Sequence, residues 1–121
     1  MKTFDIAVLG SGPGGYVAAI KAAQNGASVA LIESDTLGGT CLNRGCIPTK
    51  TLLANSDILR KLHEAKHFGI TFKESSIAID YGAMIQRKDE VVDGIRKGLK
   101  RLIESNAVTI FQGFGHFLSR N

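Results

Sequence analysis

Long apolar stretches are missing from this chain of 121 residues. No run approaches the ~18 residues that a membrane span needs, and Asp5 and a glycine turn stand where a secretion signal would continue its apolar core. With 44% apolar and 21% charged residues, the composition is that of an ordinary globular protein. These features predict one cytoplasmic domain, or part of one, with no membrane partner.

The chain also has no large excess of one charge, because its 15 basic and 11 acidic residues give a formal net charge of only +4. A loose basic cluster comprises Arg87, Lys88, Arg96, Lys97, Lys100 and Arg101. No aromatic residues interleave with these charges, as stacking on nucleic-acid bases requires. We therefore interpret the cluster as a solvated helix face and predict no nucleic-acid partner.

Cysteine is scarce, with only Cys41 and Cys46 present. Because no secretion signal is visible, an extracellular type of disulfide staple is disfavoured. Closing so short a loop removes little entropy from the unfolded chain. A zinc site is disfavoured too, since further ligands are missing nearby and His63 and His67 come later. The pair is better explained by chemistry than by stability.

The first third of the chain has the pattern of a strand, helix and strand. Apolar runs at residues 4–9 and 28–32 predict buried strands, and residues 14–25 carry apolar side chains at helical spacing. Gly26 stands where a helix C-cap glycine belongs. A βαβ unit fits within about 30 residues, and its crossover makes the two strands parallel.

The remainder predicts two longer helices and a β-prone segment. One helix is expected at about 48–66, with Pro48 in its first turn. The other spans 80–105, where apolar residues follow the 3.6 period and Asp80 can cap the start. Residues 108–118 are β-prone, and Gly113 and Gly115 indicate a bulge or a close approach to a ligand.

A glycine-rich turn joins the first strand to the first helix. Gly10, Gly12 and Gly15 form the pattern G-x-G-x-x-G, with Pro13 and Gly14 inside it. The first glycine permits the tight turn, the second lets the backbone approach a pyrophosphate, and the third allows close helix packing. Amide groups and the positive dipole end of the helix then face the diphosphate. The alternative is that the glycines serve the turn alone.

An acidic residue follows the second strand, since Glu33 lies eighteen positions after Gly15. In this fingerprint such an acid hydrogen-bonds a ribose hydroxyl and disfavours a 2′-phosphate. FAD or NAD therefore fits better than NADP, and the motif does not choose between the first two. An exposed carboxylate at a strand end is the alternative interpretation.

The two cysteines require an irregular backbone if they are to bridge. A disulfide needs Cα atoms within about 7 Å, whereas residues five apart on a regular helix lie roughly 8 to 9 Å apart. Gly45, beside Cys46, is one of several glycines that can supply the irregularity. Near a helix start and flanked by Arg44 and Lys50, the pair is expected to form thiolate readily and exchange with dithiols.

The stretch GGTCLNRGCIPTK, residues 38–50, resembles the redox-disulfide signature of the pyridine nucleotide-disulfide oxidoreductases. The similarity extends from GSGPGGYVAAIKAAQNG and LIE, ending at Glu33, to QGFGHF, and so covers nearly the whole chain. Members that oxidise dihydrolipoamide are more similar than glutathione or mercuric reductases, which tend to have valine in place of Leu42. Thr49 departs from the usual serine. The resemblance implies an α/β, Rossmann-like FAD-binding domain with a parallel sheet and flanking helices.

The resemblance also implies FAD as the bound cofactor and NAD as a co-substrate bound outside this chain. Cys46 would be the sulfur nearest the flavin, forming the charge-transfer thiolate, and Cys41 the outer sulfur that exchanges with substrate. Lys50 would lie near the flavin N5 edge. The residues implied to contact FAD are Gly10, Gly12, Pro13, Gly14, Gly15, Glu33, Ser34, Gly38, Gly39, Thr40, Cys41, Lys50 and Gly115.

The implied partners are the lipoyl domain of a 2-oxo acid dehydrogenase complex and, in the full-length protein, a second subunit in a homodimer. Residues 1–121 would be the N-terminal part of the FAD-binding domain, without the NAD-binding and dimerisation domains. The isolated piece is expected to be inactive, since the family's His–Glu base lies outside it. The alternatives are a glutathione- or mercuric-reductase-like flavoprotein and a non-catalytic FAD-binding module.

Overall fold

The structure, a computed structural model, describes residues 2–119. In that range the parallel strands are β1 (Ile6–Leu9), β2 (Val29–Glu33) and β3 (Thr109–Gln112). The α-helices are α1 (Pro13–Gln24), α2 (Gly39–Arg44), α3 (Cys46–Glu64) and α4 (Tyr81–Ser105), and two short 3-10 helices occupy Ala65–Phe68 and Glu74–Ser76.

Strand β2 lies in the centre of the sheet and pairs in parallel with β1 on one side and β3 on the other. Leu31 pairs with Val8 and with Ile110, which fixes the register across all three strands. The predicted parallel βαβ unit is therefore confirmed. Because all three strands run the same way, their carboxyl ends meet at one edge, where the glycine turn also lies.

One face of the sheet carries the core. The buried apolar residues of the core cluster come from α1, α2, α4, β2 and the segment just before β3: Ala19, Val29, Leu31, Leu42, Val92, Leu99, Ile103 and Val108. Side chains alternate between the faces of a strand, so Leu9 and Phe111, paired through Ile32, lie on the other face. They are 47% and 39% exposed.

The predicted helices are confirmed, with shifted ends. Helix α3 begins at Cys46, two residues before Pro48, because the unusual backbone of Gly45 (φ −126°, ψ −106°) separates it from α2. Asp80 caps α4 as expected, since its Oδ1 accepts a hydrogen bond of 2.9 Å from the N–H of Ala83. The β-prone segment forms a shorter strand than predicted, because the chain leaves the sheet at Gly113 (φ +153°). Within residues 2–119, no helix combines the length and apolarity needed to cross a membrane.

Candidate cofactor and redox site

The glycine turn has the geometry that the motif predicts. Gly10 takes a left-handed conformation (φ +90°), which turns the chain from β1 into α1. A Cβ atom on Gly15 would lie 1.9 Å from the oxygen of Gly10, so the third glycine is required for packing. A Cβ atom on Gly12 would meet nothing within 4 Å, and no side chain caps the helix there. The amide groups of the first turn of α1 are therefore available to an anion such as a diphosphate.

Glu33 is held at the end of β2 by donors from two directions. Its side chain belongs to a residue only 8% exposed, so the alternative of an exposed acid is wrong. Oε2 accepts hydrogen bonds from the N–H of Ser11 at 2.8 Å and from its hydroxyl at 2.6 Å. Oε1 accepts one from the N–H of Asp35 at 2.9 Å. The acid thus lies directly beside the glycine turn.

The ionisation of Glu33 follows from this environment. Burial is the largest single influence and acts to raise the pKa of the carboxyl. The hydroxyl of Ser11 and the backbone N–H groups of Asp35, Ser11 and Ser34 oppose it, and together they lower the pKa below its ordinary value. Glu33 is therefore a carboxylate at neutral pH, in the state that accepts a hydroxyl hydrogen bond.

The loop that leads to the cysteines packs on the glycine turn. The N–H of Gly38 points at both the carbonyl oxygen and the hydroxyl oxygen of Ser11, each at 3.1 Å. Gly39 adopts φ +62°, and a Cβ atom on it would lie 2.7 Å from the Cα of Gly12. Only glycine fits this position without displacing the turn. The start of α2 and the diphosphate turn are consequently adjacent.

Asn43 secures the same loop from within α2. Its Nδ2 donates to the carbonyl oxygens of Leu37 at 3.0 Å and Gly39 at 2.9 Å, and its Oδ1 accepts from Nε of Arg96 at 3.1 Å. The side chain therefore ties the loop before α2 to α4. Sequence reasoning did not single out Asn43, because its partners are backbone groups that no residue pattern reveals.

The cysteines are neighbours across a break between two helices. Cys41 lies in α2 and Cys46 is the first residue of α3, with Gly45 between the helices. A Cβ atom on Gly45 would lie 3.1 Å from the carbonyl oxygen of Thr40 and 3.3 Å from the Cα of Cys41. The close return of the chain explains why the backbone here is not a continuous helix. Both residues are free thiols, Cys41 partly exposed and Cys46 exposed.

Within the pair, which is expected to form thiolate readily, Cys41 is the member that resists ionisation. The pKa of its thiol is raised, first by a side-chain hydrogen bond with Cys46 and then by burial and by charge on Cys46. The charge of Lys50, on the first turns of α3, acts in the opposite direction but is the weakest influence. Two adjacent sulfurs resist carrying two negative charges, so the reduced pair holds on to a proton.

A third group of predicted residues meets at the carboxyl ends of the strands. A cavity of about 190 Å³ is lined by Leu9, Gly10, Ile32, Ser34, Gly113, Phe114 and Gly115. A Cβ atom on Gly115 would lie 2.6 Å from Cδ2 of Leu9, so the backbone there comes close to β1. The chain thus brings Gly10, Ser34 and Gly115 together. Such a crevice beside the diphosphate turn fits the adenosine part of a dinucleotide.

The other predicted residues lie farther along the helices. Thr40 is exposed on α2, and Lys50 is exposed on α3, one turn after Cys46. Among residues 2–119, no three His, Cys, Asp or Glu side chains gather where they could hold a metal ion. Taken together, an open glycine turn, an ionised acid and a strand-end cavity fit a dinucleotide cofactor such as FAD.

The family model described as pyridine nucleotide-disulphide oxidoreductase matches residues 4–121. The chain belongs to this family. Dihydrolipoyl dehydrogenase of Chlamydia muridarum is 55% identical over 118 residues, which are 98% of this chain and 25% of the relative. The enzyme of the same name from Acholeplasma laidlawii is 43% identical over 120 residues, 99% of this chain and 35% of the relative. One from Bacillus subtilis is 44% identical over 114 residues, 94% and 25% respectively.

The chain therefore spans about a quarter to a third of the length of these curated relatives. Membership of the family agrees with the resemblance carried by the cysteine motif and the glycine turn. It also agrees with the fold, since a parallel sheet with flanking helices is the architecture that the resemblance implies.

Proposed function

We propose that this chain carries the FAD site and the redox-active cysteines of an oxidoreductase that oxidises protein-bound dihydrolipoamide with NAD⁺. The observation that carries the proposal is that Cys41 and Cys46 are neighbours across the break between α2 and α3, and that the start of α2 packs against the glycine turn. Relatives named dihydrolipoyl dehydrogenase, at up to 55% identity, support this choice within the family.

The residues that would hold FAD lie along one path. The turn Gly10–Gly15, including Pro13 and Gly14, would bind the diphosphate, and Glu33 would accept a hydrogen bond from the adenosine ribose. Bound FAD would supply two-electron redox chemistry between the cysteine pair and NAD⁺. The remaining cofactor-binding residues in the proposal are Ser34, Gly38, Gly39, Thr40, Cys41, Lys50 and Gly115.

The cysteines would act by thiol–disulfide exchange. One thiolate of the substrate dithiol attacks the sulfur of Cys41, which breaks the Cys41–Cys46 bond and releases the Cys46 thiolate. The second thiol of the substrate then attacks the substrate sulfur that is bonded to Cys41. This step closes the substrate disulfide and releases the thiolate of Cys41. The substrate loses two electrons, and the cysteine pair gains them. The raised pKa of Cys41 keeps a proton on the reduced pair, and the charge of Lys50 favours the thiolate form.

The wider context follows from the same proposal. The partner would be the lipoyl domain of a 2-oxo acid dehydrogenase complex, and the enzyme would work as a homodimer in the cytoplasm. Residues 1–121 would form the N-terminal part of the FAD-binding domain, with NAD-binding and dimerisation domains elsewhere in the full-length protein.

The test is the visible absorption spectrum of the purified full-length protein, recorded anaerobically before and after addition of dihydrolipoamide. We expect a flavin spectrum that gains a long-wavelength band when the dithiol reduces the Cys41–Cys46 pair. Reduced glutathione at the same thiol concentration serves as the comparison. The dithiol should act faster, because closing its own ring drives the second exchange step.

Two matched variants sharpen this test. Cys46→Ser should keep the oxidised flavin spectrum, and dihydrolipoamide should no longer change it. Cys41→Ser leaves the Cys46 thiolate unbridged, so the long-wavelength band should be present before any dithiol is added and should not respond to dihydrolipoamide. A spectrum that dihydrolipoamide still changes in both variants would exclude the cysteine pair from the reaction. If the flavin-containing protein gains the long-wavelength band with glutathione and not with dihydrolipoamide, its substrate is a different thiol from the one proposed.

A further inference from the structure

We propose that Ser11 is a positioning residue of the cofactor site, which orients Glu33 towards the ribose and ties the loop before the redox cysteines to the same carboxylate. This inference rests on the proposed function, since it concerns how the chain holds FAD. Ser11 occupies a variable position of the glycine motif, between Gly10 and Gly12. Its identity is therefore not demanded by the turn itself.

The contacts of Ser11 are those of a built network. The residue is fully buried, at 0% exposure, and is one of three polar residues in the buried set of the described chain. Both its N–H and its hydroxyl donate to the same oxygen of Glu33, at 2.8 and 2.6 Å. A carboxylate oxygen offers about two acceptor positions, so Ser11 fills Oε2. Backbone N–H groups of Asp35 and Ser34 also donate to this carboxylate, so its place beside the glycine turn is fixed from both sides.

Ser11 also accepts a hydrogen bond while it donates one. The N–H of Gly38 lies 3.1 Å from its hydroxyl oxygen, and the hydroxyl proton is committed to Glu33. A chain of hydrogen bonds thus runs from Gly38, the residue immediately before α2, through Ser11 to Glu33. Since α2 carries Cys41, one hydroxyl connects the ribose acid with the redox segment.

The sheet offers a matched control at its opposite end. Ser28 binds Asp5 in the same manner, with its N–H and its hydroxyl on Oδ2 at 2.7 and 2.6 Å. This pair is exposed and lies near the amino-terminal ends of β1 and β2, away from the glycine turn. Ser28→Ala therefore removes a similar hydrogen bond without touching the proposed site.

The experiment is titration of the flavin-free protein with FAD, followed by quenching of flavin fluorescence. The variants are Ser11→Ala, Glu33→Gln, the double variant and the Ser28→Ala control. We expect Ser11→Ala to weaken FAD binding on the order of tenfold, the scale of one hydrogen bond to a charged group. If Ser11 acts through Glu33, the same change in the Glu33→Gln background should have little further effect.

The pH profile adds a readout that a purely structural role would not move. Loss of the hydroxyl makes the Glu33 carboxylate easier to protonate, so FAD affinity of Ser11→Ala should fall off at a higher pH than in the parent protein. The contacts of this carboxylate are hydrogen-bond donors from Ser11, Asp35 and Ser34, with no charged side chain among them. Ser11→Cys is a second variant for the case in which Ser11→Ala fails to fold. Its side chain is similar in size to serine but is a weaker donor, so it should weaken FAD binding less than Ser11→Ala does.

Each result decides the proposal. Equal FAD affinity and an unchanged pH profile in Ser11→Ala would overturn the role of Ser11 and leave the proposed function standing. An equal loss in both Glu33 backgrounds would also overturn it, because Ser11 would then act independently of the acid. A parent protein that binds no FAD would overturn the proposed function together with this inference.

Discussion

The backbone of Gly15 lies so close to Gly10 that a Cβ atom on Gly15 would fall 1.9 Å from the Gly10 carbonyl oxygen. Gly15→Ala should therefore push α1 away from β1 and lower the free energy of unfolding by about 1–3 kcal/mol or more. Urea unfolding measures this change. Gly14→Ala is the control, because a Cβ atom there meets nothing within 4 Å. Equal stability of the two variants would contradict the packing role of Gly15.

Gly12 should behave in the opposite way, losing flavin while keeping the fold. Its φ of −63° suits any residue, and a Cβ atom there has open space. We expect Gly12→Val to change the free energy of unfolding by less than about 1 kcal/mol and to abolish flavin retention, because the side chain fills the space that a diphosphate needs. The ratio of flavin to protein absorbance is the measurement, with Gly94→Ala on α4 as control. Normal flavin content in Gly12→Val would remove the turn from the cofactor site.

Glu33 should contribute stability at neutral pH and lose it in acid. The folded-state pKa is lowered: burial, the largest influence, raises it, but the hydrogen bonds from Ser11, Asp35 and Ser34 outweigh burial. Because the folded pKa lies below the unfolded one, the contribution is complete above the unfolded value near 4.5 and is lost as pH falls through the folded value. Glu33→Gln should therefore lower the free energy of unfolding at pH 7 by on the order of 1–3 kcal/mol.

The check is urea unfolding of parent and Glu33→Gln from pH 7 to pH 3. The difference between them should shrink below pH 4.5, where the unfolded chain binds a proton that the folded carboxylate still resists. Glu64→Gln, an exposed change on α3, should leave stability within about 0.5 kcal/mol at every pH. A stability difference between the parent protein and Glu33→Gln that grows in acid would show that folding raises the pKa of Glu33 instead of lowering it.

Much of the fold could be predicted because its signals are local. Glycine spacing and apolar periodicity indicate the strand, turn, helix and strand at the start of the chain, and Asp80 indicates where α4 begins. The start of α3 is less predictable, since the structure places it two residues before the expected position 48. The helix begins after the break at Gly45, and Pro48 then falls within its first turn, where proline is tolerated.

The chemistry of the site depends on contacts between residues that are far apart along the chain, and no residue pattern reveals these contacts. Ser11 stands at a variable place in the glycine motif, and its importance arises from Glu33 and Gly38, which lie 22 and 27 residues away. The basic neighbours Arg44 and Lys50 predict that the cysteine pair forms thiolate readily, but they do not predict how the pKa of Cys41 itself shifts. It rises because the sulfur of Cys46 is the strongest influence in space.

The reduced cysteine pair offers a direct test of that influence. Cys46→Ala removes the hydrogen bond and the charge that raise the pKa of Cys41, so this pKa should fall. Alkylation of Cys41 by iodoacetamide, followed against pH by mass spectrometry, should then reach half its maximal rate at a lower pH. Cys46→Ser, which keeps a hydrogen-bonding partner, should shift the profile less. An unchanged profile in Cys46→Ala would assign the effect to burial instead.

The end of α4 contains a strained residue whose replacement should stabilise the protein. Ala107 has φ +59°, the left-handed conformation that glycine adopts at this position of a helix end. The N–H of Ala107 donates to Glu104 at 3.0 Å and that of Val108 to Ile103 at 3.3 Å, which is the hydrogen-bond pattern of a Schellman motif. This motif leads directly to buried Val108 and into β3, which fix the path of the chain after Ala107.

Relief of the Cβ contact favours glycine in the folded state, while the extra freedom of glycine favours the unfolded chain. The first effect, about 1–2 kcal/mol, exceeds the second, about 0.4–1 kcal/mol. Ala107→Gly should therefore raise the free energy of unfolding by up to about 1 kcal/mol, which urea unfolding would detect as a higher midpoint. Ala54→Gly, in the interior of α3, is the matched control and should cost about 1 kcal/mol, because there glycine brings only the entropic penalty. Destabilisation of similar size in both variants would show that position 107 carries no strain.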